Sequence, residues 1–153
     1  STSPTMPSGY TYKKYVGAVY NASSNFRDFY QRGNNVSFPQ ATVNNTVFTT
    51  SWVSRDFAAF VPTTATRIRG ELRGVSGDTV SVNISIASYG SGTGDTGLDQ
   101  QIVYIYMYNT SGVQAAGHYD VAVKTAQTLY VKSIYVLGGS DLYSSGWSYD
   151  NIV

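Results

Sequence analysis

Along most of the chain, apolar and polar side chains alternate with a period of two. This is the pattern of strands that turn one face to a core and the other to solvent. Residues 79–87 show it without interruption: Val80, Val82, Ile84 and Ile86 are expected inward, and Ser81, Asn83 and Ser85 outward. Residues 66–75 set Arg67, Arg69, Glu71 and Arg73 against Ile68, Gly70, Leu72 and Gly74. The Ser76-Gly77-Asp78 turn between these two runs predicts that they form a hairpin. Similar runs predict strands at 12–20, 26–32, 43–51, 55–61, 101–109, 117–124, 127–137 and 147–153. A cluster of turn residues at 21–25 joins the first two, and Pro39 and Pro62 mark strand ends. Residues 88–100 and 138–146, rich in Gly and Ser, read as loops. No apolar stripe has the helical period. About ten short strands at turn spacings near 8–12 residues predict an all-β, antiparallel β-sandwich of jelly-roll type. It occupies residues 9–153 as one domain, after a linker end at 1–8.

Composition sharpens this picture. Charged residues make up 12% of the 153 positions, about half the usual ~25%, while Tyr occurs 14 times. A formal net charge of +1 gives no overall field to attract nucleic acid or an anionic membrane. No cysteine is present, which removes disulfides, thiolate nucleophiles and zinc–thiolate sites. No apolar run approaches the ~20 residues of a membrane-spanning helix, so no membrane insertion is expected. The chain begins Ser1-Thr2-Ser3, as expected of a processed or excised piece of a longer protein.

The run at 101–109 is unusual because both of its faces are apolar or aromatic. Ile102, Tyr104, Tyr106 and Tyr108 line one face, and Val103, Ile105 and Met107 the other. A sandwich strand has only one face toward its own core. Covering about four large side chains is worth ~1.5–3 kcal/mol each, so the second face requires a loop, a ligand or another subunit. Ile102, Tyr104, Tyr106 and Tyr108 are therefore the candidate oligomer interface.

Catalytic chemistry is thinly supplied. His118 is the single histidine, and no Gly-x-Ser-x-Gly elbow accompanies it. Glu71 is the single glutamate and alternates with arginines that would hold its pKa down, a poor start for the paired carboxylates of a glycosidase. Asp95 and Asp99 could ligate Ca²⁺ but lack EF-hand spacing, and Gly90, Gly92, Gly94 and Gly97 lack the Gly-Lys-Ser/Thr of a phosphate loop. Lys13, Lys14, Arg27, Arg32, Arg67, Arg69 and Arg73 read as a solvated face. No cofactor or metal is expected. The best binding chemistry lies at 139–150, where Tyr143 and Trp147 offer rings for stacking on sugar C–H faces and Asp141 can reach hydroxyls. Tyr89, beside the Gly-rich loop, has the same character. Tyr89, Asp141, Tyr143 and Trp147 are the candidate glycan-binding residues, although Trp147 in a final strand could equally belong to the core.

Residues 9–38 carry a Gly-Tyr entry, then Lys13-Lys14-Tyr15-Val16-Gly17, a polar turn, and Phe26, Phe29, Gln31, Gly33 and Asn34 in an Phe-x-x-Phe-x-Gln-x-Gly-Asn run. This order resembles a unit near the start of small β-domains in bacteriophage virion proteins of the tail fibre or knob type. The resemblance implies a homotrimer on the particle surface that meets a host-cell surface glycan and other virion proteins. The expected function is therefore non-catalytic receptor binding at a tail fibre or tail tip. A structural role in capsid decoration or tail assembly, and a glycan-degrading enzyme domain, are the alternatives.

Overall fold

The alternating run at 66–75 becomes a ten-residue strand whose two faces follow the sequence pattern. Ile68 and Leu72 are buried, while Arg67 is half-buried and Arg73 exposed. A computed structural model describes residues 8, 21–22, 25–26, 28–44, 48–76, 82–88, 102–107, 114–133 and 137–150. Among them are eleven strands and no helix. The strands are β1 (Asn21–Ala22), β2 (Asn25–Phe26), β3 (Tyr30–Arg32), β4 (Asn35–Asn44), β5 (Val53–Asp56), β6 (Arg67–Ser76), β7 (Val82–Ala87), β8 (Ile102–Met107), β9 (Gln114–Ala122), β10 (Thr128–Ser133) and β11 (Leu137–Ser148). Every pairing between them is antiparallel.

The pairings nest. β7 pairs with β8, β6 with β9, β5 with β10 and β4 with β11, as if a ribbon had been doubled on itself around residues 88–101. The doubled ribbon is divided between two sheets, ordered β3-β4-β11-β6-β9 and β5-β10-β7-β8, while β1 and β2 pair separately and place Asn21, Ala22 and Asn25, expected in a turn at 21–25, in strands. One core joins the inner faces. Val36, Ile68, Leu72, Tyr119, Val121, Leu142 and Trp147 come from the five-stranded sheet. Ile84, Ile86, Leu129 and Val131 come from the four-stranded sheet, and Phe48, Phe57 and Val61 from connections.

Three expectations are corrected. The runs at 66–75 and 79–87 do not pair with each other: β6 lies between β11 and β9, and β7 between β10 and β8. Alternation sets which side chains face the core, but it carries no information about which strand lies alongside. The segment 138–146 is not a loop but most of β11, the central strand of its sheet. Its small residues are there because the site is crowded. Ser140 and Ser144 are buried, and a Cβ on Gly146 would stand 2.5 Å from the Val36 carbonyl oxygen. Finally, the strand expected at 43–51 lies mostly elsewhere: β4 runs through Pro39 and ends at Asn44, and residues 48–51 are not in a strand. Where β4 residues 38–40 face the single residue Ser145, the β4–β11 register shifts, and a bulge there tolerates a residue without an N–H.

The predicted strand at 55–61 also ends early. The Asp56 carboxylate accepts from the Ala58 N–H at 2.7 Å, and the Phe57 carbonyl then accepts from the N–H groups of Phe60 and Val61 at 2.8 and 2.9 Å. This single turn drives Phe57 and Val61 into the core.

The tightest point lies under the middle of β6. The Tyr119 ring lies over Gly70, and its hydroxyl donates to the Tyr143 carbonyl at 2.6 Å. Burial pushes the Tyr119 phenol far above its ordinary pKa, so it stays a neutral donor. A Cβ on Gly70 would stand 1.9 Å from the Tyr143 oxygen and 2.5 Å from the Tyr119 hydroxyl. Gly70→Ala is therefore expected to destabilise the fold by about 3 kcal/mol. Gly139→Ala, whose Cβ would have only Val75 Cγ2 at 3.9 Å nearby, is expected to fall within about 0.5 kcal/mol of the parent. Urea unfolding of the two variants checks the contrast.

Candidate functional site

The edge of the five-stranded sheet is built from a tight hairpin. β3 and β4 pair Tyr30 with Ser37, Gln31 with Val36 and Arg32 with Asn35, leaving Gly33 and Asn34 as a two-residue turn. Gly33 has φ of 57°, the left-handed value that a type II′ turn needs at its first central position. The turn is tied to the far end of the chain. The Gln31 side-chain amide donates to the Tyr149 hydroxyl (3.1 Å) and to the Gly33 carbonyl (3.2 Å), and the Tyr149 N–H donates to the Asn34 carbonyl (3.2 Å). With Gln31 held on the inner side, the pleat sends Tyr30 and Arg32 outward.

β3 ends at Tyr30, so the β4 residues beyond Ser37 have no neighbour from that strand. Phe29 and Tyr30 stay 43% and 68% exposed and are the large exposed hydrophobic side chains among the described residues. With Asp28, Ser37, Phe38 and Pro39 they line an open cleft of about 360 Å³. This is near the lower end of the ~300–1,000 Å³ typical of ligand sites. Its surface is mostly apolar, with Asp28 and Ser37 as the polar residues among the described lining.

A second polar cluster covers the outer face of the same sheet. Arg73 donates through Nε to Glu71, and its guanidinium sits 4.9 Å from the centre of the Tyr143 ring. Gln40 donates to the other Glu71 oxygen at 3.3 Å, and His118 is the cross-strand partner of Glu71. Arg67 pairs with Asp120 at 2.8 Å, and Arg69 donates to the carbonyls of Val36 (3.2 Å) and Trp147 (3.1 Å). The Arg73 hydrogen bond is the main influence holding the Glu71 carboxyl below its ordinary pKa. Partial desolvation opposes it, while the charge of Arg73, Gln40 and His118 add to it. Each of these charges already has an internal partner.

Of the candidate glycan residues, Asp141 and Tyr143 come together and Trp147 does not join them. Asp141 and Tyr143 lie on the outer face of β11, opposite Arg73 and Glu71. The Tyr143 ring has Arg73 over it, so that face is not free to stack on a sugar. Trp147 points the other way: it is 2% exposed, belongs to the core and packs 5.7 Å from the Tyr149 ring, so it offers no platform. Tyr89 lies outside the described residues, as do Asp95, Asp99 and the glycines between them.

Of the candidate interface, Ile102, Tyr104 and Tyr106 lie in β8, at one edge of the four-stranded sheet, and are described as backbone; Tyr108 lies outside the described residues. Ile102 pairs with Ala87, Tyr104 with Ser85 and Tyr106 with Asn83. Ala87 and Ser85 are 0% and 1% exposed in a single chain, so the residues beside the Ile102 and Tyr104 positions are already out of water without a second protomer.

Sequence reasoning missed Asp28, Phe29, Tyr30, Phe38 and Pro39. A signal was present: consecutive large aromatics beside a strand start cannot both follow the alternation into the core, and here both are exposed. Among the described residues, no three His, Cys, Asp or Glu side chains converge to hold a metal. In comparisons with known proteins, the chain matches no family model and no curated sequence.

Two outcomes follow from this geometry. A carboxyl with a lowered folded-state pKa adds stability above its unfolded pKa of ~4.3 and loses it as pH falls through the folded value. The stability gap between parent and Glu71→Gln should accordingly be widest above pH ~5 and close at lower pH, as read by denaturant titration across pH. Gly33→Ala meets no atom within 4 Å, so its cost is purely conformational: about 1–2 kcal/mol, and less for Gly33→Asn, by thermal or urea unfolding.

Proposed function

We propose that the chain is a non-catalytic domain of a bacteriophage particle, displayed at a tail fibre or tail tip, that binds host-cell surface glycan. The exposed aromatic cleft at Phe29 and Tyr30 carries this reading. Large apolar side chains held open on a rigid hairpin, beside a carboxylate and a hydroxyl, suit stacking on a sugar ring and hydrogen bonding to its hydroxyls. The nested pairing of β4 to β11 supports a jelly roll, an architecture shared by viral capsid and lectin domains.

The Phe29, Gln31, Gly33 and Asn34 positions of the virion-like motif fall on the hairpin beside the cleft, which favours the phage reading. A homotrimer, which the motif implies, would multiply a weak single site into useful avidity on a glycan coat. Other virion proteins would hold the domain in place through its N-terminal side. The state of Glu71 supports a non-catalytic role. It is clamped by Arg73 and Gln40 and stays ionised near neutral pH, so it cannot serve as a proton donor for glycosidic cleavage.

Labelled protein is expected to saturate on bacterial cells, and periodate oxidation of their surface polysaccharide is expected to abolish binding. Saturation on purified virions with no binding to cells would instead identify a decoration or assembly component. Falling viscosity of the polysaccharide on incubation would identify an enzyme.

A further inference from the structure

We infer that the cleft selects neutral pyranosides over acidic ones, with Asp28 as the selecting residue. This rests on the glycan-binding reading and adds the class of sugar. Among the described residues six line the cleft; one is a carboxylate and none is a cation. Asp28 is exposed, and among the described residues no cation or hydrogen-bond donor is paired with it. The outer face of the same sheet is the opposite case, since there Glu71 and Asp120 are each engaged by an arginine. The nearest cation in sequence on the outward row of β3, Arg32, stands at the turn end and does not line the cleft.

An unpaired carboxylate beside aromatic rings has a definite preference. Each of its oxygens accepts from sugar hydroxyls, and two adjacent hydroxyls can be held together by charge-assisted hydrogen bonds. The rings of Phe29 and Tyr30 meet the positively polarised C–H face of a pyranose with their negative π-faces. A sialic acid or uronic acid brings its own carboxylate to a site whose described lining holds no cation to receive it. Like charges brought together there repel.

The test uses the intact chain, immobilised at high density, on an array of bacterial surface glycans, with matched pairs in solution by saturation-transfer NMR: lactose against 3′-sialyllactose and maltotriose against trigalacturonate. Neutral members are expected to bind at least about tenfold more tightly than their acidic partners. Asp28→Asn should weaken the neutral sugars severalfold and narrow that preference. Tyr30→Ala should cost about tenfold, and Tyr30→Phe should restore binding to within about twofold. Both positions replaced are solvent-exposed, and the wild-type preference needs no variant. Equal or tighter binding of acidic glycans, or a preference unchanged in Asp28→Asn, overturns the assignment of Asp28 while leaving glycan binding intact. Binding to no glycan of either class overturns the glycan reading itself, and this inference with it.

Discussion

One extra residue in β11 decides what the five-stranded sheet presents and what it hides. In strict alternation Asp141, Tyr143 and Trp147 would share a face. The register against β6 instead passes from Ser144–Gly70 to Gly146–Arg69, leaving Ser145 unpaired between them. That bulge shifts the phase by one, so Trp147 pairs with Ile68 on the inner side while Tyr143 and Asp141 remain outside. The groups around it make the bulge possible. Gly70 and Gly146 leave room for close backbone approach, the Tyr119 hydroxyl serves the Tyr143 carbonyl on one side, and Arg69 serves the carbonyls of Val36 and Trp147 on the other. Buried backbone groups released from a ladder require partners of this kind.

The nested pairing has a consequence for the edge. Because β4 pairs with β11, the outer end of the doubled ribbon joins residues early and late in the chain, and Gln31 reaches Tyr149 across that seam. β3 is the last strand added there and is only three residues long. A short edge strand followed by a proline at a bulge discourages pairing with a foreign strand. It also leaves the aromatic side chains beside it uncovered. The feature that protects the edge from aggregation is thus the one that opens the cleft.

What could be read in the sequence was the facing of individual strands. Ile68, Leu72, Ile84 and Ile86 are core residues, as their alternation indicates, because burial of one face is a local property of a strand. The two-sheet antiparallel architecture followed from strand number and spacing. Strand partners could not be read, since they depend on contacts between residues far apart in sequence, and strands close in sequence such as β6 and β7 can belong to different sheets. The small polar composition of 138–146 misled for a different reason. Gly and Ser suit turns, but they also suit a central strand packed tightly against its neighbours, and only tertiary crowding separates the two. That aromatic rings and carboxylates are both present was legible as residue types. Which rings stay exposed was not, because the bulge that buries Trp147 and the late start of β3 at Tyr30 are both matters of register.

Charge bookkeeping separates the edge of the sheet from its broad polar face. On that face Arg67 meets Asp120, Arg73 meets Glu71, and Arg69 is bound to backbone carbonyls. A ligand there would have to break an existing contact for each one it formed, and exposed pairs of this type return little net free energy. In the cleft, Asp28 has no such partner among the described residues, and the rings of Phe29 and Tyr30 are already exposed to water. A ligand displaces only solvent from them. Free energy of association is available where a surface is left unsatisfied on a rigid support. The β3–β4 hairpin, fixed by Gly33, Gln31 and Tyr149, is the described part of this chain that meets both conditions.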